Sequence, residues 1–426
     1  MARVSQATLD EVNERIEAVW RMEAARLISG LGRILGDLGL AEEIAQDALL
    51  AAVEQWPAEG IPRNPGAWLM TTGKRRAIDR IRREVTLRDK IKIIGADLND
   101  HENPYAAVDD RLDDQIGDDL LRLIFTACHP VLAPDARVAL TLKVVGGLST
   151  AEIARAFLST EATIAQRIVR AKRTLASKDV GFAAPTAAEL PERLPTVLSV
   201  IYLIFNEGYA ASAGEDWVRP DLCSTGQRLG RMLCGLLPGE PEVLALTSLM
   251  ELQASRLRAR ADADGNPVLL LDQQRSRWDR LLIMRGLRAL DECHRLGGAR
   301  GSYALQAAIA ACHARALTAE DTDWVMIAAI YETLADVSPS PVVELNRAVA
   351  IGMAYGPGPS LELVDQLRDL PAMDRYHLLH SVRGDLLAKL DRPDEATEEF
   401  RRAAELTGNE QERLMMIKRA DELADR

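Results

Sequence analysis

Two helical patterns near the middle of the chain are joined by only four residues, Phe157-Leu158-Ser159-Thr160, and this spacing most limits what can form there. Upstream, Ser149 and Glu152 have the Ser-x-x-Glu spacing of a capping box, in which each side chain satisfies an amide at a helix start. Downstream, Ile164, Ile168, Ala171 and Leu175 recur at helical steps, while Thr163, Gln166, Arg167, Arg170 and Arg173 fall on other faces. Two short helices with so short a joint pack against each other. The second turns a polar, basic face outward, as in a helix-turn-helix whose second helix can enter a DNA major groove.

Charge along the chain extends this reading. The net charge is −12, which taken alone argues against a polyanion partner. The average conceals two basic stretches. Residues 73–92 hold nine Lys or Arg against three acids, and residues 162–178 hold five bases and no acid. Between them, residues 97–119 carry nine acids with Arg111 as the one strong base.

Helices are expected over 9–28, 41–55 and 67–92, with a loop at 56–66 imposed by Pro57, Gly60, Pro62, Pro65 and Gly66. Ile78, Ile81 and Val85 share one face of the third helix, and Arg76, Arg80 and Arg83 share another. Further helices are expected at 119–128, 134–145, 149–158 and 160–177. A Pro- and Ala-rich hinge over 183–195 then leads into some 230 residues of helical pattern. Its end reads as a helix pair, 377–390 and 394–406, in which Ala396 and Phe400 fit part of a tetratricopeptide unit. Earlier segments at 323–335 and 341–352 could be degenerate copies. The whole is an all-α chain.

Other classes find little support. Five cysteines in 426 residues are too few and scattered for a disulfide framework. No start resembles a signal peptide, and no stretch approaches the roughly 18 apolar residues of a membrane helix, so a cytoplasmic chain without a membrane span is expected. The pairs Cys128-His129, Cys293-His294 and Cys312-His313 lack the spacing that lets two ligands converge on one metal ion. His377 and His380, with no paired carboxylates nearby in sequence, read as packing or surface residues. No phosphate loop, nucleophile elbow or zinc-protease helix occurs. Neither a catalytic site, nor a metal site, nor a cofactor is expected.

Four runs taken in order resemble a known family. Ala41-Glu42-Glu43-Ile44-Ala45-Gln46-Asp47 is followed by Ala67-Trp68-Leu69 with Ala77-Ile78-Asp79-Arg80-Ile81-Arg82-Arg83. Later come Gly147-Leu148-Ser149-Thr150-Ala151-Glu152-Ile153-Ala154 and Thr163-Ile164-Ala165-Gln166-Arg167-Ile168-Val169-Arg170-Ala171. These runs resemble regions 2 and 4 of the extracytoplasmic-function sigma factors, alternative initiation subunits of bacterial RNA polymerase. Two departures stand out: Gly73-Lys74-Arg75 replaces a usual Ala-Arg-Asn, and Ala165 replaces a frequent Lys. Both bear on promoter preference.

The resemblance implies a region 2 domain at 8–95, an acidic linker at 96–117 that could pass through the polymerase's nucleic-acid channel, and a region 4 helix-turn-helix at 118–178. It also implies a helical, tetratricopeptide-like extension at 186–426, which could divide into two subdomains. The runs Ile201-Tyr202-Leu203-Ile204-Phe205-Asn206-Glu207-Gly208-Tyr209, Asp272-Gln273-Gln274-Arg275-Ser276-Arg277-Trp278-Asp279 and Leu345-Asn346-Arg347-Ala348-Val349 resemble the sigma subgroup with such an extension. By that resemblance the extension regulates in cis.

The implied partners are core RNA polymerase, docking on Glu42, Glu43, Gln46 and Asp47, and promoter DNA. Lys74, Arg75, Arg76, Arg80 and Arg83 would lie along the −10 element, and the loop before them could receive an unstacked base. Trp56 and Trp68 are expected to pack the core rather than stack on DNA. Gln166 and Arg167 are the candidates for −35 base edges, with Thr163 beside them, while Arg170, Lys172 and Arg173 would meet phosphates. The extension is open to a regulatory protein or ligand. An alternative is a helix-turn-helix regulator with a ligand- or protein-sensing helical domain, which leaves the first two runs unexplained.

Overall fold

Gly36 and Gly60 show how local chemistry divides the first ninety residues. Both adopt positive φ (69° and 86°), and each donates its amide to a carbonyl of the preceding helix turn, Gly32 and Trp56 respectively. The computed structural model describes residues 6–94, 116–157, 159–210, 217–262, 266–371 and 373–424. The chain divides into two units, residues 1–200 and 201–426.

In the first unit, helices α1 (Gln6–Leu35), α2 (Leu38–Glu59) and α3 (Pro65–Ile94) pack on one another. From α1, Ile16, Trp20, Ala24, Leu27, Ile28 and Leu31 enter the core at three- and four-residue steps. Ala41, Ala45, Ala48 and Ala52 of α2 are fully covered, and such small residues let helices approach closely. Asp37 caps α2 by accepting from the Leu40 amide at 2.7 Å. Asn64 accepts from the Ala67 amide at 3.1 Å at the start of α3.

The break between α2 and α3 is shorter than expected. Pro57 lies inside the last turn of α2, and Pro65 begins α3, so the loop shrinks to residues 60–64. A proline this near a helix end forfeits one amide bond, and at the first helical position it forfeits none. Trp56 is buried and packs the core, and it meets Trp68, which is partly exposed, edge-on at 5.3 Å.

Helix α4 (Ile116–Ala127) packs on α1, and α5 (Pro134–Val144), α6 (Thr150–Ala156) and α7 (Glu161–Ser177) follow. The capping box forms: Ser149 Oγ accepts from the Glu152 amide at 3.1 Å, and the Ser149 amide donates to Glu152 Oε2 at 2.7 Å. Helix α8 (Leu190–Tyr209) starts inside the expected hinge and carries Pro195 within it. Its Arg193 donates to the Phe125 carbonyl at 2.9 Å. Most of the acidic linker, residues 95–115, lies outside the described residues.

The second unit centres on α10 (Pro241–Ala254), which is buried nearly all round, from Val243 to Ala254. Helices α9 (Pro220–Leu236), α11 (Arg280–Arg295) and α12 (Ser302–Arg315) pack on it. Between α10 and α11 run three 3-10 turns, Leu257–Ala259, Leu270–Asp272 and Arg275–Arg277. From α12 the chain continues as α13 (Trp324–Val337), α14 (Pro341–Tyr355), α15 (Pro357–Arg368), α16 (His377–Lys389), α17 (Pro393–Leu406) and α18 (Glu410–Ala424), each packed on its neighbour in sequence. Ala396 and Phe400 are fully buried, and Gly384 of α16 leaves room for the Phe400 ring. The described residues contain no β-strand, and none of their helices is long and apolar enough to cross a membrane.

Candidate nucleic-acid and polymerase interface

Helix α7 is positioned by its buried stripe of Ile164, Ile168, Ala171 and Leu175, which packs on α5 and α6. Its N-terminus is fixed by Thr160, whose Oγ1 accepts from the Thr163 amide at 3.1 Å. With that stripe inward, Thr163, Gln166, Arg170 and Arg173 face solvent, and Arg167 is half-exposed. Arg167 Nη2 lies 3.7 Å from Asp135 Oδ2, a loose pair with an exposed carboxylate that costs little to exchange for another anion.

Helix α3 is arranged in the same way. Leu69 and Ala77 point into the core, and a Cβ at Gly73 would meet the Leu27 and Leu31 side chains at 3.2–3.4 Å. Arg75, Arg80 and Arg83 are exposed, while Lys74 and Arg76 are half-buried. Arg76 Nη1 lies 3.4 Å from Asp47 Oδ2 on α2. Two polar, mainly basic helix faces are thus presented, one on each side of the acidic segment.

The acidic face of α2 is not laid out as expected. Glu43 is exposed and Asp47 half-exposed, but Glu42 is only 4% exposed. Its carboxylate accepts from Lys172 Nζ of α7 and from Gln46 Nε2. In this arrangement Glu42 cannot dock on another protein, and Lys172 cannot reach a phosphate. Each is consumed by the other. The sequence could not reveal this, because helical spacing places Glu42 beside Gln46 but says nothing of a helix 130 residues away.

Further contacts that sequence reasoning missed hold the same arrangement. Arg21 of α1 pairs with Glu152 at 2.5 Å, and Arg33 pairs with Asp119 at 3.1 Å. Gly147, at φ 74°, brings the turn before α6 so close to α1 that a Cβ there would lie 3.3 Å from Arg21 Cα. Phe182 lies over Gly32, where a Cβ would come within 2.8 Å of the ring. Partial burial raises the Glu152 carboxyl, but hydrogen bonds from Ser149 and the Arg21 charge outweigh it and hold the group below its usual range. Lys143 is pushed down, chiefly by burial, with Glu42 opposing and Lys172 adding to the shift.

Comparison with known proteins fits this division. The Sigma-70 region 2 family matches residues 19–86, and the Sigma-70 region 4 family matches residues 122–175. A family of unknown function (DUF6596) matches residues 193–294. An uncharacterized protein of Rhizobium meliloti is 43% identical over 400 residues, 93% of both chains. The probable ECF RNA polymerase sigma factor SigI of Mycobacterium tuberculosis is 29% identical over 163 residues, covering 38% of this chain and 55% of that protein. The ECF RNA polymerase sigma factor SigK of Mycolicibacterium vanbaalenii is 30% identical over 158 residues, covering 36% of this chain and 76% of that protein. With two outward-facing polar helices in the order of regions 2 and 4, the chain belongs to the extracytoplasmic-function family of RNA polymerase sigma factors.

Proposed function

We propose that this sigma factor, acting in the cytoplasm, binds core RNA polymerase through α2 and reads a promoter with α3 and α7. Glu43, Gln46 and Asp47 form the docking face, which Glu42 joins once Lys172 releases it. Lys74, Arg75, Arg76, Arg80 and Arg83 follow the −10 strand backbone. On α7, Thr163, Gln166 and Arg167 meet −35 base edges, and Arg170, Lys172 and Arg173 meet phosphates. The observation that carries this reading is the outward placement of both basic helix faces within the segments matched to regions 2 and 4.

The described arrangement is a resting one. Glu42–Lys172, Arg21–Glu152 and Arg33–Asp119 link α1 and α2 to α4, α6 and α7, so reading two separate promoter elements requires these links to open. Core polymerase would replace these intramolecular pairs with its own basic and acidic groups. Residues from about 201 onward regulate that opening in cis, through a tetratricopeptide-like surface or a bound ligand.

The test is co-purification of the full chain with core polymerase, then run-off transcription on a promoter library. Core binding with promoter-specific transcripts is expected. Sequence-specific DNA binding with no core association would instead identify a stand-alone helix-turn-helix regulator.

A further inference from the structure

Three stretches of the second unit converge on a cluster for which promoter recognition offers no use. Tyr209 ends α8, Trp217 precedes α9, Arg256 and Arg260 flank the first 3-10 turn after α10, and Arg275 and Trp278 come from the third. The cations and rings alternate. Arg260 lies 5.2 Å from the Trp217 ring and 3.9 Å from that of Tyr209. Arg256 lies 5.8 Å from Tyr209 and 5.5 Å from Trp278, and Arg275 lies 4.4 Å from Trp278.

These guanidiniums are buried without an ion-pair partner, although the carboxylates of Glu320 and Asp321 act on Arg275 through space. Arg260 and Arg275 are 7% and 6% exposed, and among the described residues none of the three arginines forms an ion pair. Arg275 is held by the His313 carbonyl and by Thr322 Oγ1 at 3.1 Å. The guanidiniums of Arg256 and Arg260 have no hydrogen-bond acceptor among the described residues. Glu412, whose carboxylate feels the Arg260 charge, is engaged by His377 at 3.0 Å and Thr407 at 2.6 Å.

The unmet groups of the arginines and tryptophans are donors, while Gln253 Oε1 and Gln273 Oε1 on the same segments are buried acceptors without a partner. Nε of Arg256, Arg260 and Arg275 and Nε1 of Trp217 and Trp278 are all buried with no acceptor. Ring faces repay only part of the cost of burying a cation, so such a cluster is costly without an anion. A neutral ligand would leave the charge uncompensated, and a metal cation would be repelled. Arg256 and Trp217 are the partly exposed members of the cluster, so an anion would reach it beside them.

We propose that this cluster binds a compact oxyanion, the phosphate or carboxylate group of a small molecule, between Arg256 and Arg260 with the Trp217 indole N–H as a third donor. One anion brings several acceptor lone pairs to donors that have none and neutralises adjacent guanidiniums. The site lies within the segment matched to the family of unknown function and does not depend on how the extension acts on the promoter-binding helices.

The experiment uses the full chain, titrated separately with sodium phosphate and sodium citrate at constant ionic strength against sodium chloride. Thermal midpoint and tryptophan emission are followed together. Saturable changes with phosphate, citrate or both, absent with chloride, are expected, and the stronger arm identifies the headgroup. Arg256→Gln and Arg260→Gln should each weaken the response by about tenfold or more, as loss of a charge-assisted hydrogen bond implies. Arg258→Gln, on an exposed neighbour, should leave it unchanged. If Arg260→Gln does not fold, Arg256→Gln and Trp217→Phe, which keeps a ring but loses the indole N–H, carry the test. Equal behaviour in all three salts overturns the proposal, as does a response that survives Arg256→Gln and Trp217→Phe undiminished.

Discussion

Lys172, on the same helix as the base-reading candidates Gln166 and Arg167, donates its ammonium to Glu42, on the helix expected to dock on polymerase. A residue from each proposed interface thus occupies the other. Lys143 lies close enough to feel both charges, so loss of the carboxylate would leave two ammonium groups facing each other. Glu42→Gln is therefore expected to loosen α7 from α2 by roughly 1–3 kcal/mol. Fluorophores at exposed positions 75 and 173 should report a longer mean separation in this variant than in the parent. An unchanged separation would show that the other contacts suffice to hold the arrangement.

Base contacts and phosphate contacts on α7 should separate cleanly. Arg167→Ala is expected to cost about 1–3 kcal/mol of discrimination at one −35 position, since an arginine facing guanine makes two bonds no other pair accepts. Arg170→Ala should weaken binding to all promoters alike and lower the salt slope by about 1. Anisotropy titrations of reconstituted holoenzyme at several salt concentrations, on a −35 point-variant series, measure both. A uniform loss for Arg167→Ala would reassign it to the backbone.

The start of α6 offers a test of local stability. Ser149→Ala removes the hydroxyl that accepts from Glu152 and should destabilise the first unit by about 0.5–2 kcal/mol. Glu152→Gln should cost more than the cap alone, because Glu152 also pairs with Arg21 of α1. Urea denaturation of both variants checks the order, and a smaller effect for Glu152→Gln would mean that the Arg21 pair adds nothing.

What could be read from the sequence was what repeats locally. The Ser149–Glu152 box, the Ile164, Ile168, Ala171, Leu175 stripe and the α16–α17 pair with Phe400 inside it are written in spacings of three and four residues. Helix ends were less legible, because Pro57 and Pro195 read as breaks in sequence, whereas each costs a single amide bond in a helix that runs through it. Tertiary pairs were not legible at all. His377 and His380 have no carboxylate partners nearby in sequence, yet the fold brings Glu412 to the first at 3.0 Å and Glu399 to the second at 2.6 Å. The same holds for Arg256, Arg260 and Arg275, which lie in or beside short 3-10 turns without periodicity.

The course of α8 determines where the extension can be removed. Leu194, Val197, Leu198 and Val200 are buried and Arg193 holds the Phe125 carbonyl, so a cut at 185 removes these buried residues and that bond to the first unit. A chain ending at residue 200 should melt higher than one ending at 185 and should retain core polymerase binding. If the extension regulates in cis, the 1–200 chain should also transcribe at a rate different from the full chain at equal core occupancy. Equal rates would remove the cis-regulatory reading and leave the sigma assignment intact.

His313 supplies a pH prediction whose sign follows from its surroundings. Burial, reinforced by the charges of Arg256 and Arg275, pushes the imidazole down to about 3. The folded state therefore keeps it neutral, while the unfolded chain takes up a proton near the ordinary value of about 6.5. Between those values the unfolded state binds more protons, so stability is complete above about 6.5 and declines as pH falls toward 3. At pH 5 the loss amounts to about 2 kcal/mol. His313→Phe keeps a ring against the Trp324 edge, which lies 5.1 Å away, and should flatten this decline between pH 7 and pH 5. Urea midpoints of parent and variant at both pH values provide the check. Parallel slopes would mean that His313 takes up its proton as readily in the folded state as in the unfolded chain, so that neither burial nor the neighbouring arginines hold it neutral.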